Sequence, residues 1–175
     1  MADNQKILHQ TQIETQLGPM VAIADQQFLY LLEFIDRHGL EDSIKKLKKT
    51  INSTIIPGRT TIINLIEKEL HQYFDGTLQT FMTPLHFSGS PFQQSVWSQL
   101  QKIPHGQTQS YAQLAIAVGN PAACRAVAQA NGANKFLVII PCHRIINSSG
   151  KLGGYSSGID RKIWLLNHER NQGNL

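Results

Sequence analysis

The residues best suited to covalent chemistry stand together at Ile140-Pro141-Cys142-His143-Arg144-Ile145, where a thiol is followed by an imidazole and a guanidinium. Thiolate is the nucleophilic form of cysteine, and cationic neighbours favour it. The chemistry implied is attack by sulfur on an electrophilic centre. The apolar run Phe136 to Ile140 predicts a short buried strand that Pro141 stops, delivering Cys142 at the end of a rigid element. A bare Cys-His pair carries little weight, so the surrounding sequence must decide.

The elements that would position this segment are mostly helical. Ser90-Pro91 opens a helix as N-cap and first residue, with Phe92, Val96 and Leu100 on one face and Trp97 beside it. Ser110 to Val118 predicts a short helix with Tyr111, Leu114, Ala115 and Val118 inward. Gly119 stops it, Asn120 is placed to cap the next helix, and Pro121 to sit in its first turn. Helix–Gly-Asn-Pro–helix is a helix-turn-helix signal. In the second helix Ala123, Val127 and Ala130 face the core, and Ala122, Arg125, Ala126 and Gln129 face away. That outer face is narrow, nearly uncharged and bears one long basic side chain. It suits close approach to a nucleic acid, although an ordinary surface arginine would look the same. A Gly/Ser-rich loop follows over 147–157, then an amphipathic helix over about 159–170 ending in His168-Glu169.

The first half reads differently. Lys6–Thr15, Val21–Ala24 and Phe28–Phe34 predict a three-stranded antiparallel sheet punctuated at Gly18-Pro19. Glu41–Ile51 and Thr60–Phe74 have helical apolar spacing, and Lys45, Lys46, Lys48 and Lys49 fall on the wet side of the first. The segment 81–91, rich in Thr, Pro, Ser and Gly, is a connection, which puts a domain boundary near Pro84. The expected fold class is α+β: an N-terminal domain, 1–84, of antiparallel sheet with helices and a structural role, and a mostly helical, winged-helix-like domain, 85–175, carrying the helix-turn-helix and the reactive segment.

Charge divides the same way. Residues 1–84 carry 8 Lys/Arg and 10 Asp/Glu, whereas residues 85–175 carry 8 Lys/Arg and only two acids, Asp160 and Glu169. A basic, acid-poor half suits a polyanionic partner. The two cysteines, Cys124 and Cys142, make neither a disulfide framework nor a C-x-x-C metal pair, and free thiols fit a reducing compartment. The N-terminus lacks the apolar core of a signal peptide, and no stretch approaches the ~20 apolar residues of a membrane span. A cytoplasmic protein without a membrane partner is expected.

Taken together these residues resemble the O6-alkylguanine–DNA alkyltransferases. Pro141-Cys142-His143-Arg144-Ile145 is similar to that family's active-site signature. Pro91-Phe92-Gln93, Val96-Trp97, Ile103-Pro104, Gly106, Thr108 and Ser110-Tyr111 are similar to its opening helix and turn. Arg125 is spaced as its arginine finger, and Asn134 lies eight residues before Cys142 as its hinge asparagine. Gly154-Tyr155-Ser156 and Trp164-Leu165-Leu166 to His168-Glu169 complete a likeness over about residues 87–170.

The resemblance implies repair of alkylated guanine, with alkylated thymine as a second candidate lesion, in double-stranded DNA by irreversible transfer to Cys142, one event per chain, by a monomer without a cofactor. It implies catalytic roles for Cys142, His143, Glu169, Tyr111 and Asn134. A water would link Cys142 to His143, Glu169 would fix the imidazole and favour its cationic form, and Tyr111 would donate to the leaving base. DNA contact falls to Arg125, Ala123, Ala126, Gln129, Ser110 and Arg144. The substrate pocket falls to Tyr155, Ser156, Ser157, Ile145, Leu137 and Lys162, with carbonyls near Cys142 and Ile145 reading the exocyclic amine. Some members bind zinc in the N-terminal domain; this chain has no cysteine before Cys124, so no metal is expected. Some members have proline where Leu137 stands and glycine where Ser157 stands, which bears on substrate breadth and sensitivity to bulky benzyl-type inhibitors.

Three rivals remain. A helix-turn-helix regulator explains the basic half and Arg125 but leaves Cys142, Glu169 and Tyr111 without a joint purpose. A silent alkyltransferase-like protein lacks the cysteine present here. A cysteine hydrolase would turn over repeatedly.

Overall fold

A computed structural model describes residues 5–172; residues 1–4, the start of the segment read for a leader peptide, and residues 173–175 lie outside the description. The chain divides into two compact units, one up to Ser88 and one from Gly89.

The first unit is a four-stranded sheet with two helices. Strands β1 (Lys6–Ile13), β2 (Met20–Ala24) and β3 (Leu29–Phe34) form the expected antiparallel meander. Helix α1 (Leu40–Ile51) follows, and then a strand absent from the sequence reading, β4 (Ser53–Pro57). It pairs parallel to β1, so the order is β3-β2-β1-β4 and the sheet is mixed rather than purely antiparallel. Ser53–Pro57 is too short for a clear alternation, and a parallel partner needs the crossover that α1 supplies. Every residue of β2 and β3 is buried. Leu8, Val21, Ile23, Tyr30 and Leu31 join Leu47 of α1 in one core cluster. Helix α2 (Thr61–Phe74) is capped by Thr60, whose hydroxyl accepts from Ile63 N.

The unit ends four residues beyond Pro84, for a local reason. Leu29 N donates to Pro84 O at 2.9 Å and His86 N donates to Leu29 O at 2.8 Å, so this segment lines the free edge of β3. Glu69 of α2 accepts from Met82 N, Thr83 N and the Thr83 hydroxyl, which fastens the segment just before it.

The second unit is built of helices around a two-stranded ribbon. Helix α3 (Pro91–Leu100) begins as expected at Ser90-Pro91, with Gln93 closing a reciprocal capping box. Its Val96, Trp97 and Leu100 are buried. Strand β5 (Gln109–Ser110) leads into α4 (Tyr111–Ala117), again through a capping box, Ser110 with Gln113. Gly119 ends α4 with φ of +81°, a left-handed value that glycine adopts without steric cost.

The second helix of the pair, α5 (Cys124–Gly132), starts later than the sequence suggests. Asn120-Pro121 form a turn, with Ala123 N donating to Asn120 O, and no side chain caps α5. Val127 and Ala130 are buried, whereas Arg125, Ala126 and Gln129 are exposed. The indole nitrogen of Trp97 donates to Ala130 O at 2.9 Å, pinning α3 to α5.

A one-turn 3-10 segment (Cys142–Arg144) runs into β6 (Ile145–Ile146), which pairs parallel with β5. Helix α6 (Ile159–Gln172) closes the unit. No helix among the described residues is long and apolar enough to cross a membrane.

Candidate active site

The run before Cys142 is not a strand. Phe136–Ile140 is a buried turn in which Ile140 N donates to Phe136 O at 2.9 Å and Val138 takes φ of +74°. Left-handed backbone is costly for a β-branched residue, so the surroundings must impose it. Asn134 does much of this. Its Oδ1 accepts from Phe136 N at 2.8 Å, and its Nδ2 donates to Ile140 O at 2.8 Å and lies 3.2 Å from Cys142 Sγ. An apolar run of five residues reads alike for a buried strand and for a buried turn; one asparagine amide replaces the ladder a strand would need. Asn134 thus touches the sulfur itself, and its role of fastening α5 to the active segment is carried by these same bonds.

Cys142 sits on the 3-10 turn, 3% exposed, in a pocket of about 230 Å³ lined by Tyr111, Ala128, Asn131, Gly132, Cys142, Gly154, Tyr155 and Ser156. Tyr111 comes from the first turn of α4, Ala128 to Gly132 from α5, and Gly154 to Ser156 from the loop before α6. Gly153 holds φ of +70°, and a Cβ there would lie 3.3 Å from Asn147 Oδ1 and in ordinary contact, 3.5 Å, with the Tyr111 hydroxyl. A side chain would strain that backbone and crowd Asn147.

Behind the sulfur lies a buried ionic cluster. Glu169 of α6 is fully buried; its Oε1 is 2.7 Å from His143 Nε2. Arg144 grips the same carboxylate, Nε to Oε2 at 2.8 Å and Nη2 to Oε1 at 2.9 Å, and its Nη1 donates to Ile103 O at 2.7 Å. Gly106 N adds a longer contact of 3.3 Å. Burial alone would raise the Glu169 pKa, but the bonds to His143 and Arg144 outweigh it and hold the carboxyl far below the usual range. His143 goes the other way from the expected imidazolium. Its complete burial lowers its pKa despite the Glu169 contact, and Arg144 and Lys162 push it further down. The imidazole is neutral at neutral pH. With Nε2 facing an ionised carboxylate, the ring proton belongs on Nε2, and Nδ1 is left a lone-pair acceptor with no partner in the protein.

Two further expectations change. The resemblance puts Arg144 on the DNA side, but it is 6% exposed and committed to Glu169 and Ile103, so it has no reach to a phosphate. The resemblance puts Lys162 in the pocket, but it is fully buried and outside the pocket lining, its Nζ donating to the carbonyls of Ile145, Leu152 and Gly154. Burial lowers its pKa, and the charge of Cys142 opposes that shift. Leu137, Ile145 and Ser157 are likewise buried outside the pocket lining. Cys142 O accepts from Asn131 Nδ2 and from Ile145 N, and Ile145 O accepts from Lys162. Tyr111 has its pKa raised, first by burial and then by Cys142, with a hydrogen bond from Asn131 opposing, so it stays a phenol and a donor. Ser110 is the N-cap of α4, its hydroxyl accepting from Gln113 N, and Ala123 is a half-buried residue before α5.

Sequence reading missed Asn131, Ala128 and Gly132 in the pocket wall. Asn131 had a legible signal: a polar residue on the inward face of α5, one position past the buried Ala130. Among the described residues no group of three or more His, Cys, Asp or Glu could hold a metal ion.

A buried cysteine–histidine–glutamate array, opening on a pocket walled by the second helix of a helix-turn-helix, defines a DNA-alkyl-transfer class of domain. Residues 91–171 match the family model described as 6-O-methylguanine DNA methyltransferase, DNA binding domain. The chain is 36% identical over 174 residues to the methylated-DNA–protein-cysteine methyltransferase of Shigella flexneri, covering 93% of this chain and 95% of that one. The crystal structure of Mycobacterium tuberculosis O6-methylguanine methyltransferase superposes with a TM-score of 0.81 at 36% identity, covering 94% of each chain. The Mycobacterium tuberculosis protein in complex with DNA gives a TM-score of 0.80 at 35% identity, covering 95% of this chain and 94% of that one. The chain belongs to the methylated-DNA–protein-cysteine methyltransferase family.

Proposed function

We propose that this protein repairs double-stranded DNA by moving an alkyl group from O6 of guanine to Cys142, once per chain. The observation that carries this reading is the placement of Cys142 Sγ in a pocket, with the neutral Nδ1 of His143 held ready by Glu169. The names of the relatives and the DNA complex of the Mycobacterium tuberculosis protein support the substrate class.

His143 Nδ1 takes the thiol proton, through a water in the arrangement the family resemblance implies. This is general-base activation of a nucleophile that is only a few per cent ionised by itself. The Asn134 amide, 3.2 Å from sulfur, stabilises the thiolate. Sulfur attacks the alkyl carbon; the S–C bond forms as the C–O bond breaks, and the electron pair stays on the guanine. Tyr111 donates its phenolic hydrogen to the base and neutralises the charge that develops there, then recovers a proton from solvent. Asn134 and Tyr111 therefore join Cys142, His143 and Glu169 as the machinery.

A base in a duplex cannot reach this pocket, so it is flipped out. Arg125, exposed on α5, fills the gap it leaves, and the small residues Ala126 and Ala123 with Gln129 let α5 lie close in the minor groove. Tyr155 and Ser156 contact the alkylated base. The protein acts as a monomer in the cytoplasm, and residues 1–84 serve the architecture.

Intact-mass measurement after incubation with duplex DNA bearing O6-methylguanine tests the reading. One methyl per chain, located on Cys142 and absent in Cys142→Ser, is expected, with O4-methylthymine DNA run alongside. Several turnovers per chain, or methylation of Cys142→Ser, would overturn it.

A further inference from the structure

Two glycines line the pocket beside Cys142, Gly132 and Gly154, and neither has the usual reasons for being glycine. Their neighbour Gly153 has a positive φ that requires the residue; these two do not. Crowding does not explain them either. Among the described residues, a Cβ built at either position would meet no packing partner within 4 Å. Gly132 is the last residue of α5, yet it does not end the helix in the way a left-handed glycine does. The C-cap is Ala133, with φ of −85°. Alanine would serve the helix better at 132.

Both positions bear on the space in front of the sulfur. Ala128, Asn131 and Gly132 are spaced i, i+3 and i+4, so they share one face of α5, and all three line the pocket. A side chain at 132 would stand on that face beside Ala128. Gly154 lines the same pocket from the loop before α6, and its carbonyl is held by Lys162 Nζ at 3.1 Å. Two separate elements thus each present a wall with a side chain missing.

The reaction gives this room a use. Sulfur attacks the alkyl carbon in line with the C–O bond, so the other three substituents of that carbon spread sideways across the pocket. For methyl they are hydrogens. A larger alkyl group puts carbon there and needs lateral space.

We propose that Gly132 and Gly154 are specificity-determining residues, whose missing side chains let Cys142 take alkyl groups bulkier than methyl. This deepens the alkyl-transfer reading and rests on it. Gly132 also lies in line with Arg125 and Gln129 on the outer face of α5, so close approach to DNA is the competing reason for it, and the test separates the two.

Single-turnover transfer is measured for wild type, Gly132→Ala and Gly154→Ala on duplex DNA containing one O6-methylguanine or one O6-benzylguanine, and on free O6-benzylguanine. Alanine suits both backbones, so both variants fold. Wild type is expected to accept both lesions. Each variant should keep the methyl rate and the DNA affinity of wild type. Each should lose about tenfold or more on benzyl, the scale on which one methyl group discriminates in a pocket. The loss should be the same on duplex and on free base. A benzyl rate unchanged in either variant, or refusal of benzyl by a wild type that takes methyl, would overturn the proposal. Equal losses on both lesions together with weaker DNA binding would assign Gly132 to the DNA approach and overturn it too. Absence of any transfer by wild type, methyl included, would instead sink the alkyltransferase reading, and this proposal with it.

Discussion

His143 Nε2 lies 2.7 Å from Glu169 Oε1, and that carboxylate is at the same time clasped by Arg144 through contacts of 2.8 and 2.9 Å. The anion is already balanced by a guanidinium, so it orients the imidazole without charging it. A neutral base oriented by a neutralised carboxylate is suited to take a proton when substrate arrives.

Glu169→Gln is expected to damage stability as well as transfer. It leaves the Arg144 guanidinium buried without an anion, a change that costs about 3–5 kcal/mol where a buried pair loses one partner. Urea unfolding of the two proteins measures it. A loss under about 1 kcal/mol would show that Arg144 finds water or another acceptor.

Stability should decline toward acid in two steps. His143 has a folded pKa below its unfolded value of about 6.5, so the unfolded chain binds more protons and stability falls as pH drops below that value. Burial opposes ionisation of Asp25, but Lys6 and the amides of Gln27 and Phe28 outweigh it and bring its pKa down to about 2. Glu169 is depressed further. Their contributions are complete above about pH 4.5 and are lost as pH falls through the folded values. Urea midpoints from pH 8 to 3 should show both limbs, and Asp25→Asn should flatten only the lower one. A midpoint that rises between pH 7 and 5 would contradict the assignment of His143 as buried and neutral.

Arg125→Ala should slow repair of duplex DNA more than reaction with the free modified base, because flipping costs a few kcal/mol and an inserted side chain offsets part of it. Parallel rate measurements on the two substrates decide this. Equal losses would reduce Arg125 to a phosphate contact.

Lys162→Met should loosen the loop that carries Tyr155 and Ser156. The carbonyls of Ile145, Leu152 and Gly154 lose their shared donor, and of the three bonds only that to Ile145 is fully buried. At about 1–3 kcal/mol for a buried acceptor left unsatisfied, the substitution is expected to cost at least about 1 kcal/mol. Hydrogen exchange of the amides over 152–156 should speed up selectively; unchanged exchange there would mean the loop is held by other contacts.

DNA binding should be salt-sensitive and nearly indifferent to sequence. Arg144 and Lys162 are buried, but Lys102, Arg125, Lys135, Lys151, Arg161 and Arg170 of the second unit are not, and the outer face of α5 offers few base-reading groups. Affinities for several unrelated duplexes across a salt series test this. One tight site surviving high salt would favour a helix-turn-helix regulator.

Much of this protein is legible in one dimension because its signals are local. Ser90-Pro91, Ser110 with Gln113, and Gly119 mark helix ends through bonds and dihedrals spanning a few residues. The reactive thiol and its partners are likewise distinctive in type and spacing. What the chain could not declare is everything that depends on which distant groups meet. The parallel pairing of β4 with β1 joins segments 47 residues apart, as at Lys6 and Ser53, with no local mark of it. Phe136–Ile140 becomes a turn because Asn134 satisfies its backbone. Arg144 and Lys162 look like surface cations by type; only tertiary packing puts Glu169 beside one and three carbonyls around the other. His143 has the same letter whether charged or neutral, and its state follows from complete burial beside a carboxylate that Arg144 has already neutralised, because desolvation and charge act through space and not along the chain.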